Sequence, residues 1–154
     1  MSYWRLFYHF TWSTKNRNLW IQPEWEADLH RVIVAKAEEL GAIVYAVGGI
    51  EDHVHLVASV PPKLALSDFV GQVKGNSSHF VNHVIKSVEQ FNWQNSYGVV
   101  SFGEKRLDQV VDYVRHQKEH HHIGTAIQFL ERNEDDEGHS PKGRGQVDEA
   151  PFGG

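Results

Sequence analysis

Two histidines separated by one residue, His53 and His55, are the first side chains of the sequence that could do chemistry. They lie in a β-rich run, and side chains alternate between the two faces of a strand, so both imidazoles are expected on one open face. Two neutral imidazoles side by side can bind one divalent ion. A pair of exposed strand histidines with no ligand is the alternative interpretation of this motif alone.

A second pair, Tyr113 and Gln117, lies in a stretch with helical spacing. Residues four apart share one face of a helix, with roughly 5–6 Å between their Cβ atoms, so the phenol and the amide are expected to project together. Considered alone, the pair could equally be a surface tyrosine and glutamine beside an apolar stripe.

Together the two pairs predict a site with coherent chemistry. Two imidazole nitrogens and the amide oxygen of Gln117 form a three-ligand set with open positions, which suits an ion that polarises substrate oxygens. Mg²⁺ or Mn²⁺ is the expected ion. A phenol such as that of Tyr113 is a poor nucleophile until it loses its proton, but it can form a covalent intermediate when a metal organises the target. On a phosphodiester the product is a phosphotyrosine.

The elements that would position these residues alternate between strands and helices. The predicted strands cover residues 3–14, 42–50, 53–60 and 98–102. The predicted helices run from Pro23 to Gly41, from Ser67 to Ile85, and along the apolar stripe of Leu107, Val110, Val111 and Val114 towards Gly124. This order indicates an α+β, ferredoxin-like (RRM-like) antiparallel sheet with two helices on one face, plus a C-terminal helix that bears the tyrosine.

Composition places the chain among globular proteins. Hydrophobic residues make up 40% of the 154 residues and charged residues 23%, which are ordinary values for a folded domain. We expect one catalytic domain over residues 1–130 and a flexible, acidic, Gly- and Pro-containing tail over residues 131–154. Cysteine is absent, which excludes disulfides, thiolate catalysis and cysteine zinc sites. No stretch is apolar for long enough to span a membrane, so a cytoplasmic location is expected.

The net charge of −5 at first argues against a nucleic-acid partner, which usually attracts clustered Lys and Arg. Residues 131–154 hold seven acidic and three basic residues, a net of −4, which leaves −1 for residues 1–130. A nearly neutral domain can still carry a basic face, so charge neither supports nor excludes DNA binding.

Five short segments in this order resemble the HUH-superfamily single-tyrosine transposases of small insertion sequences, the IS-two-hundred-like group, and the chain is also similar to REP-associated tyrosine transposases. The resemblance covers nearly all of residues 3–130. The matching segments are residues 8–15 (YHFTWSTK), 53–55 (HVH), 74–78 (KGNSS), 93–98 (WQNSYG) and 113–117 (YVRHQ) followed by His120 and His121.

The resemblance implies roles for individual residues and for partners. His53, His55 and Gln117 would be the metal ligands, and Tyr113 the nucleophile that forms a 5′-phosphotyrosine. The substrate would be single-stranded DNA with a hairpin near the element's end. The enzyme would be a homodimer in which the tyrosine helices can be exchanged, in a bacterial or archaeal cell and nucleoid-associated when bound to DNA.

Further candidates are weaker. Phosphate contact is plausible for Lys15, Arg17, Lys74 and Asn76, although isolated polar and basic side chains are more often simply solvated. Tyr97 is a second candidate nucleophile, but no glutamine follows it four residues later.

Two other functions compete with strand transfer. A ferredoxin-like module that binds single-stranded nucleic acid without cleaving it, such as a domesticated copy, would need exposed aromatics on its open sheet face, where this chain has His53 and His55. A phosphoesterase acting on a cyclic or small phosphate would need two histidine motifs on different strands. The sequence shows one such pair of histidines, His53 and His55, on one strand.

Overall fold

A computed structural model describes residues 2–122, with side chains as far as residue 119. Its strands are β1 (Phe7–Ser13), β2 (Ile43–Ile50), β3 (His53–Ser59) and β4 (Gly98–Phe102). They form one antiparallel sheet in the order β2-β3-β1-β4. Its α-helices are α1 (Pro23–Glu39), α2 (Leu66–Phe80), α3 (Leu107–Arg115) and α4 (Gln117–His122). The predicted α+β sheet-and-helix order is confirmed.

Helices α1 and α2 enclose the main hydrophobic core together with one face of the sheet. The four-residue spacing of α1 brings Leu29 and Ile33 to this face, and neither has any exposed surface. Strand β1 contributes Phe10 and Trp12, which are also fully buried, because alternate residues of a strand point the same way. The ring of Phe10 lies 5.3 Å from that of Phe69 on α2. This face is entirely a packing surface.

Helix α3 packs on the opposite face of the sheet and forms a second, smaller cluster. Its Val110 and Val114 are fully buried and pack with Ala46 of β2 and Val57 of β3. A Cβ atom built on Gly48 of β2 would overlap the carbonyl oxygen of Val114. Glycine at this position therefore allows α3 to approach the sheet closely.

Three element boundaries differ from the sequence prediction. β1 begins at Phe7, four residues later than expected. The second helix becomes a π-helical turn over Val81–Ile85 and ends at Lys86, whose φ of 58° is left-handed. The predicted single third helix is wrong, since it divides at His116 into α3 and α4.

The cause of this division is local. The imidazole Nδ1 of His116 donates a hydrogen bond to the carbonyl oxygen of Asp112 at 2.8 Å, and the backbone N–H of His116 bonds to the same oxygen at 3.2 Å. Both donors satisfy a carbonyl of the last turn and so end α3. The expected helix end near Gly124, the domain boundary at residue 130 and the tail over residues 131–154 lie outside the described residues. None of the described helices is long and apolar enough to cross a membrane.

Candidate active site

The two β3 histidines lie side by side beneath α3. His53 is 2% exposed and His55 is fully buried, and their ring centroids are 4.9 Å apart with nearly perpendicular planes. They share a face, as the alternation predicted. The expectation that this face is open was wrong, because α3 packs on it and excludes water from the imidazoles.

A carboxylate fixes the first of these imidazoles. Oδ1 of Asp52 accepts a hydrogen bond from Nδ1 of His53 at 2.7 Å, and Nη1 of Arg17 lies 3.6 Å from the other carboxylate oxygen. Burial acts to raise the pKa of Asp52, but the hydrogen bond from His53 and the charges of His53 and Arg17 outweigh it, so that the pKa is lowered. The carboxylate therefore stays ionised and holds the His53 ring.

A third histidine, His9, completes this cluster, and the sequence analysis did not single it out as a site residue. Its side chain is 1% exposed, and its ring lies edge to edge with that of His55, with centroids 4.9 Å apart and planes 16° apart. Nε2 of His9 lies 2.8 Å from Nδ1 of His55, and Oγ1 of Thr11 lies 3.3 Å from the same nitrogen. The signal was available: Phe10 and Trp12 point into the core, so His9 and Thr11 must point to the histidine face.

The phenol side chain of Tyr113 lies in the same site. Its ring centroid is 6.1 Å from that of His55, the two rings are almost perpendicular, and Tyr113 is 3% exposed. The close approach of α3 at Gly48, which pairs with His55 across the sheet, brings the tyrosine to this position.

Gln117 is the first residue of α4 and is 2% exposed. The expectation that Tyr113 and Gln117 share one continuous helical face is wrong, because the chain turns at His116 between them. Both side chains are nevertheless buried on the α3 side. The amide oxygen and nitrogen of Gln117 have no hydrogen-bond partner among the described residues. Burying a polar group without a partner costs free energy. A bound metal ion would supply the missing partner of this amide oxygen, so Gln117 fits the role of a ligand.

A lysine anchors α4 next to the site. Nζ of Lys118 bonds to Oε2 of Glu26 on α1 at 2.6 Å and to the carbonyl oxygen of Gly49 on β2 at 3.0 Å. These contacts tie the element that carries Gln117 both to the sheet and to the helix layer behind it.

The four predicted DNA-contacting residues occupy two places. Lys15 is exposed on the turn that follows β1, and Arg17 on the same turn pairs with Asp52. Asn76 is exposed on α2. Lys74 donates hydrogen bonds to the carbonyl oxygens of Gln94 at 2.6 Å and Ser96 at 3.1 Å, so its ammonium group holds the loop before β4.

Among the side chains that the structure describes, as far as residue 119, no group of three or more His, Asp or Glu gathers in an arrangement able to hold a metal ion. The three histidines of the cluster do not form such a group by themselves.

Comparison with known sequences gives consistent results. The family model described as "Transposase IS200 like" matches residues 2–117. The transposase of insertion sequence element IS200 from Salmonella typhimurium is 26% identical over 129 residues, which is 80% of this chain and 84% of that relative. The ISDra2 transposase TnpA of Deinococcus radiodurans is 29% identical over 123 residues, which is 75% of this chain and 88% of that relative.

Solved structures with the same fold support this relationship. A crystal structure of a Deinococcus radiodurans R1 protein assigned as a transposase superposes with a TM-score of 0.60 at 26% identity, over 76% of this chain and 95% of that one. A REP-associated tyrosine transposase bound to a REP hairpin superposes with a TM-score of 0.58 at 17% identity, over 100% of this chain and 98% of that one. At this lower identity the second likeness concerns the fold alone.

Proposed function

Because this chain belongs to the IS200-like transposase family, whose members cleave and join DNA, we propose that it transfers single-stranded DNA through a covalent bond to Tyr113. The observation that carries the proposal is the contact of the Tyr113 ring with His55, whose centroids lie 6.1 Å apart in a buried site beside His53. Burial strengthens electrostatic interactions in the site and limits access of water to a covalent intermediate.

The proposed reaction exchanges one phosphodiester bond for another. The phenol oxygen of Tyr113 loses its proton and bonds to the phosphorus, while the bond from phosphorus to the 3′ oxygen breaks. The 3′ oxygen takes up a proton and leaves as a hydroxyl, and the 5′ phosphate remains on the tyrosine. Attack by the 3′ hydroxyl of another DNA end reverses these steps and releases Tyr113. The covalent bond conserves the energy for rejoining.

The side chains of His53, His55 and Gln117 would hold a divalent ion, and Mg²⁺ or Mn²⁺ suits a three-ligand set that leaves coordination positions for substrate oxygens. When bound, the ion would polarise the oxygens of the scissile phosphate. Two observations support the assignment. Asp52 bonds to Nδ1 of His53, and the buried amide of Gln117 has no hydrogen-bond partner among the described residues. The nitrogens would bind the ion in their neutral form.

Single-stranded DNA that folds into a hairpin is the proposed substrate. A structural neighbour has been solved with a REP hairpin. Arg17 lies at the edge of the site through its pairing with Asp52, and Lys15 is exposed on the same turn, so both are placed to meet a phosphate. Asn76 would contact DNA from α2, whereas the bonds of Lys74 to the loop before β4 favour an indirect role.

The test is incubation of the purified chain with 5′- and 3′-labelled single-stranded DNA from the flanks of its own gene, with Mn²⁺ or with a chelator. A denaturing gel should show a metal-dependent covalent species that Tyr113→Phe abolishes. Tyr97→Phe is the matched control, because Tyr97 packs against the α1 and α2 core and should keep full adduct formation. An adduct with Tyr113→Phe refutes the nucleophile assignment, and DNA binding without any adduct favours a non-catalytic binding protein.

A homodimer is also proposed, and mixing two inactive variants tests how its sites are assembled. Tyr113→Phe and His55→Ala are each expected to be inactive. Within one chain the Tyr113 ring reaches His55. If each site is made within one chain, the mixture stays inactive, whereas recovery of cleavage in the mixture indicates exchanged tyrosine helices. Light scattering measures the mass of the assembly independently.

A further inference from the structure

His9 is a buried histidine that the proposed reaction does not use. It lies on β1, beside the β3 strand that carries the two proposed ligands, and it is 1% exposed. Its ring lies edge to edge with that of His55, with planes 16° and centroids 4.9 Å apart, and its Nε2 lies 2.8 Å from Nδ1 of His55. This contact is made to a residue that would bind the ion.

The short distance between these two nitrogens indicates a hydrogen bond and excludes that they share an ion. Two imidazole nitrogens bound to one ion at roughly 2.1 Å each, at an angle of 90° or more, lie about 3 Å or more apart. At 2.8 Å a proton must lie between Nε2 of His9 and Nδ1 of His55. His9 therefore does not ligate the ion through the nitrogen that faces His55.

The position of this proton decides which nitrogen of His55 can bind a metal. In a neutral imidazole one nitrogen carries the proton and the other carries the lone pair. If Nδ1 of His55 donates to Nε2 of His9, the lone pair of His55 is on Nε2. Asp52 imposes the same choice on His53, because it accepts a hydrogen bond from Nδ1 of that ring at 2.7 Å.

We propose that His9 is a positioning residue, which holds the proton of His55 on Nδ1 and so presents Nε2 of that ring to the divalent ion. This inference rests on the proposed function, which places the ion at His55. The in-plane hydrogen bond between the two rings fixes both the orientation of the His55 ring and its tautomer. Thr11, at 3.3 Å from the same Nδ1, is a longer and weaker second acceptor.

Two substitutions test this hydrogen bond. His9→Phe keeps an aromatic ring beside His55 but removes the acceptor. His9→Gln places an amide oxygen near the position of Nε2 and can restore the acceptor. His79→Phe is the matched control, because His79 of α2 and His83 of the π-helical turn form an exposed pair of imidazoles, with centroids 4.0 Å apart, away from the site.

The experiment measures Mn²⁺ binding to the full chain by calorimetry, and the tautomer of His55 in the metal-free chain by ¹⁵N NMR of its imidazole nitrogens. The wild type should carry the proton on Nδ1 of His55. His9→Phe should shift it towards Nε2 and weaken Mn²⁺ binding about 10- to 100-fold, the usual effect of losing such a partner. His9→Gln should recover most of the affinity, and His79→Phe should bind like the wild type.

The outcomes distinguish this inference from the proposed function. If the wild type binds no Mn²⁺, both fail together. If the wild type binds Mn²⁺ and His9→Phe binds it equally well with an unchanged tautomer, the role of His9 is refuted while the metal site stands. If pulsed electron paramagnetic resonance of the wild type shows three coordinated imidazole nitrogens instead of the two of His53 and His55, His9 is a ligand and the positioning role is also refuted.

Discussion

The two faces of the sheet are built from different residues, although the same strands supply both. The face beneath α1 and α2 buries large apolar side chains such as Phe10, Trp12 and Leu56. The face beneath α3 buries a small apolar cluster beside polar groups, His9 and His55 among them. Alternation along β1 and β3 sends successive residues to opposite faces. The first face supplies stability, and the second uses part of that stability to keep polar groups out of water.

Burying polar groups on the second face is tolerated because they are bonded to one another. The imidazoles of His53 and His55 contact Asp52 and His9 through their Nδ1 atoms, at 2.7 and 2.8 Å. The hydroxyl of Ser13 and the amide of Gln117 have no such partner among the described side chains, and at Gln117 an ion would compensate. The difference between the faces predicts that substitutions on one change stability and on the other change chemistry.

The largest effect is expected from His55→Ala on the α3 face. Loss of a ligand should lower metal-dependent cleavage by on the order of 10³-fold, since a bound metal stabilises the transition state by several kcal/mol. The chain should remain folded because the core beneath α1 and α2 is untouched. Cleavage rates in Mn²⁺, together with circular dichroism, measure both quantities. Unchanged cleavage would mean that His55 is not part of the metal site.

In the core beneath α1 and α2, Leu29→Ala should lower stability and leave cleavage unchanged. Leu29 is fully buried, so its truncation leaves a cavity and should lower the free energy of unfolding by about 2–5 kcal/mol. Urea denaturation measures this loss, and cleavage per folded molecule at 25 °C should be unchanged. Leu19→Ala is the control, because Leu19 is 66% exposed and its truncation should cost little. A selective loss of cleavage in Leu29→Ala would contradict the separation of the two faces.

A substitution between the faces should affect both properties. Gly48→Ala places a methyl group where the carbonyl oxygen of Val114 lies, so α3 must move away from β2. Such overpacking costs about 1–3 kcal/mol of unfolding free energy. Because Tyr113 reaches the site through α3, adduct formation should fall as well. Gly71→Ala on α2, where nothing lies within 4 Å of the added methyl, is the control and should keep both stability and activity.

The sequence predicted the layers of the fold better than the surroundings of the site. The period-two pattern through Phe10 and Trp12 and the four-residue spacing of α1 are local signals, and local geometry determines them. Which helix covers which face depends on contacts between distant residues, such as Gly48 with Val114. For this reason His53 and His55 were expected on an open face and are instead buried beneath α3.

Two details of the site escaped prediction for different reasons. The division of the third helix depends on one side-chain bond, from His116 to the carbonyl oxygen of Asp112, which helical periodicity does not reveal. His9 stands in an aromatic strand that was interpreted through its apolar face. The same alternation, followed on the other face, would have placed His9 and Thr11 beside His55. The roles of His53, His55, Tyr113 and Gln117 remain predictions that the proposed cleavage assays test.

The smallest predicted effect is a change in the pH dependence of stability, and it arises where α1 meets α4. His30 of α1 lies beneath the pair formed by Glu26 and Lys118, with its Nε2 3.8 Å from Oε2 of Glu26. Burial lowers the pKa of His30 below its ordinary value of 6.5, and the positive charge of Lys118 adds to this, while Glu26 opposes it. Protonation therefore favours the unfolded chain, in which the pKa of His30 is higher.

Stability should consequently rise as pH increases through the range between the folded and the unfolded pKa of His30. His30→Gln removes this group, so it should flatten the rise in unfolding free energy measured by urea between about pH 5 and pH 7.5. His83→Gln, on the exposed side of the π-helical turn, should leave the rise in place. An identical pH dependence in wild type and His30→Gln would show that protonating His30 costs no more free energy in the folded chain than in the unfolded chain. The junction of α1 with α4 would then be hydrated rather than packed.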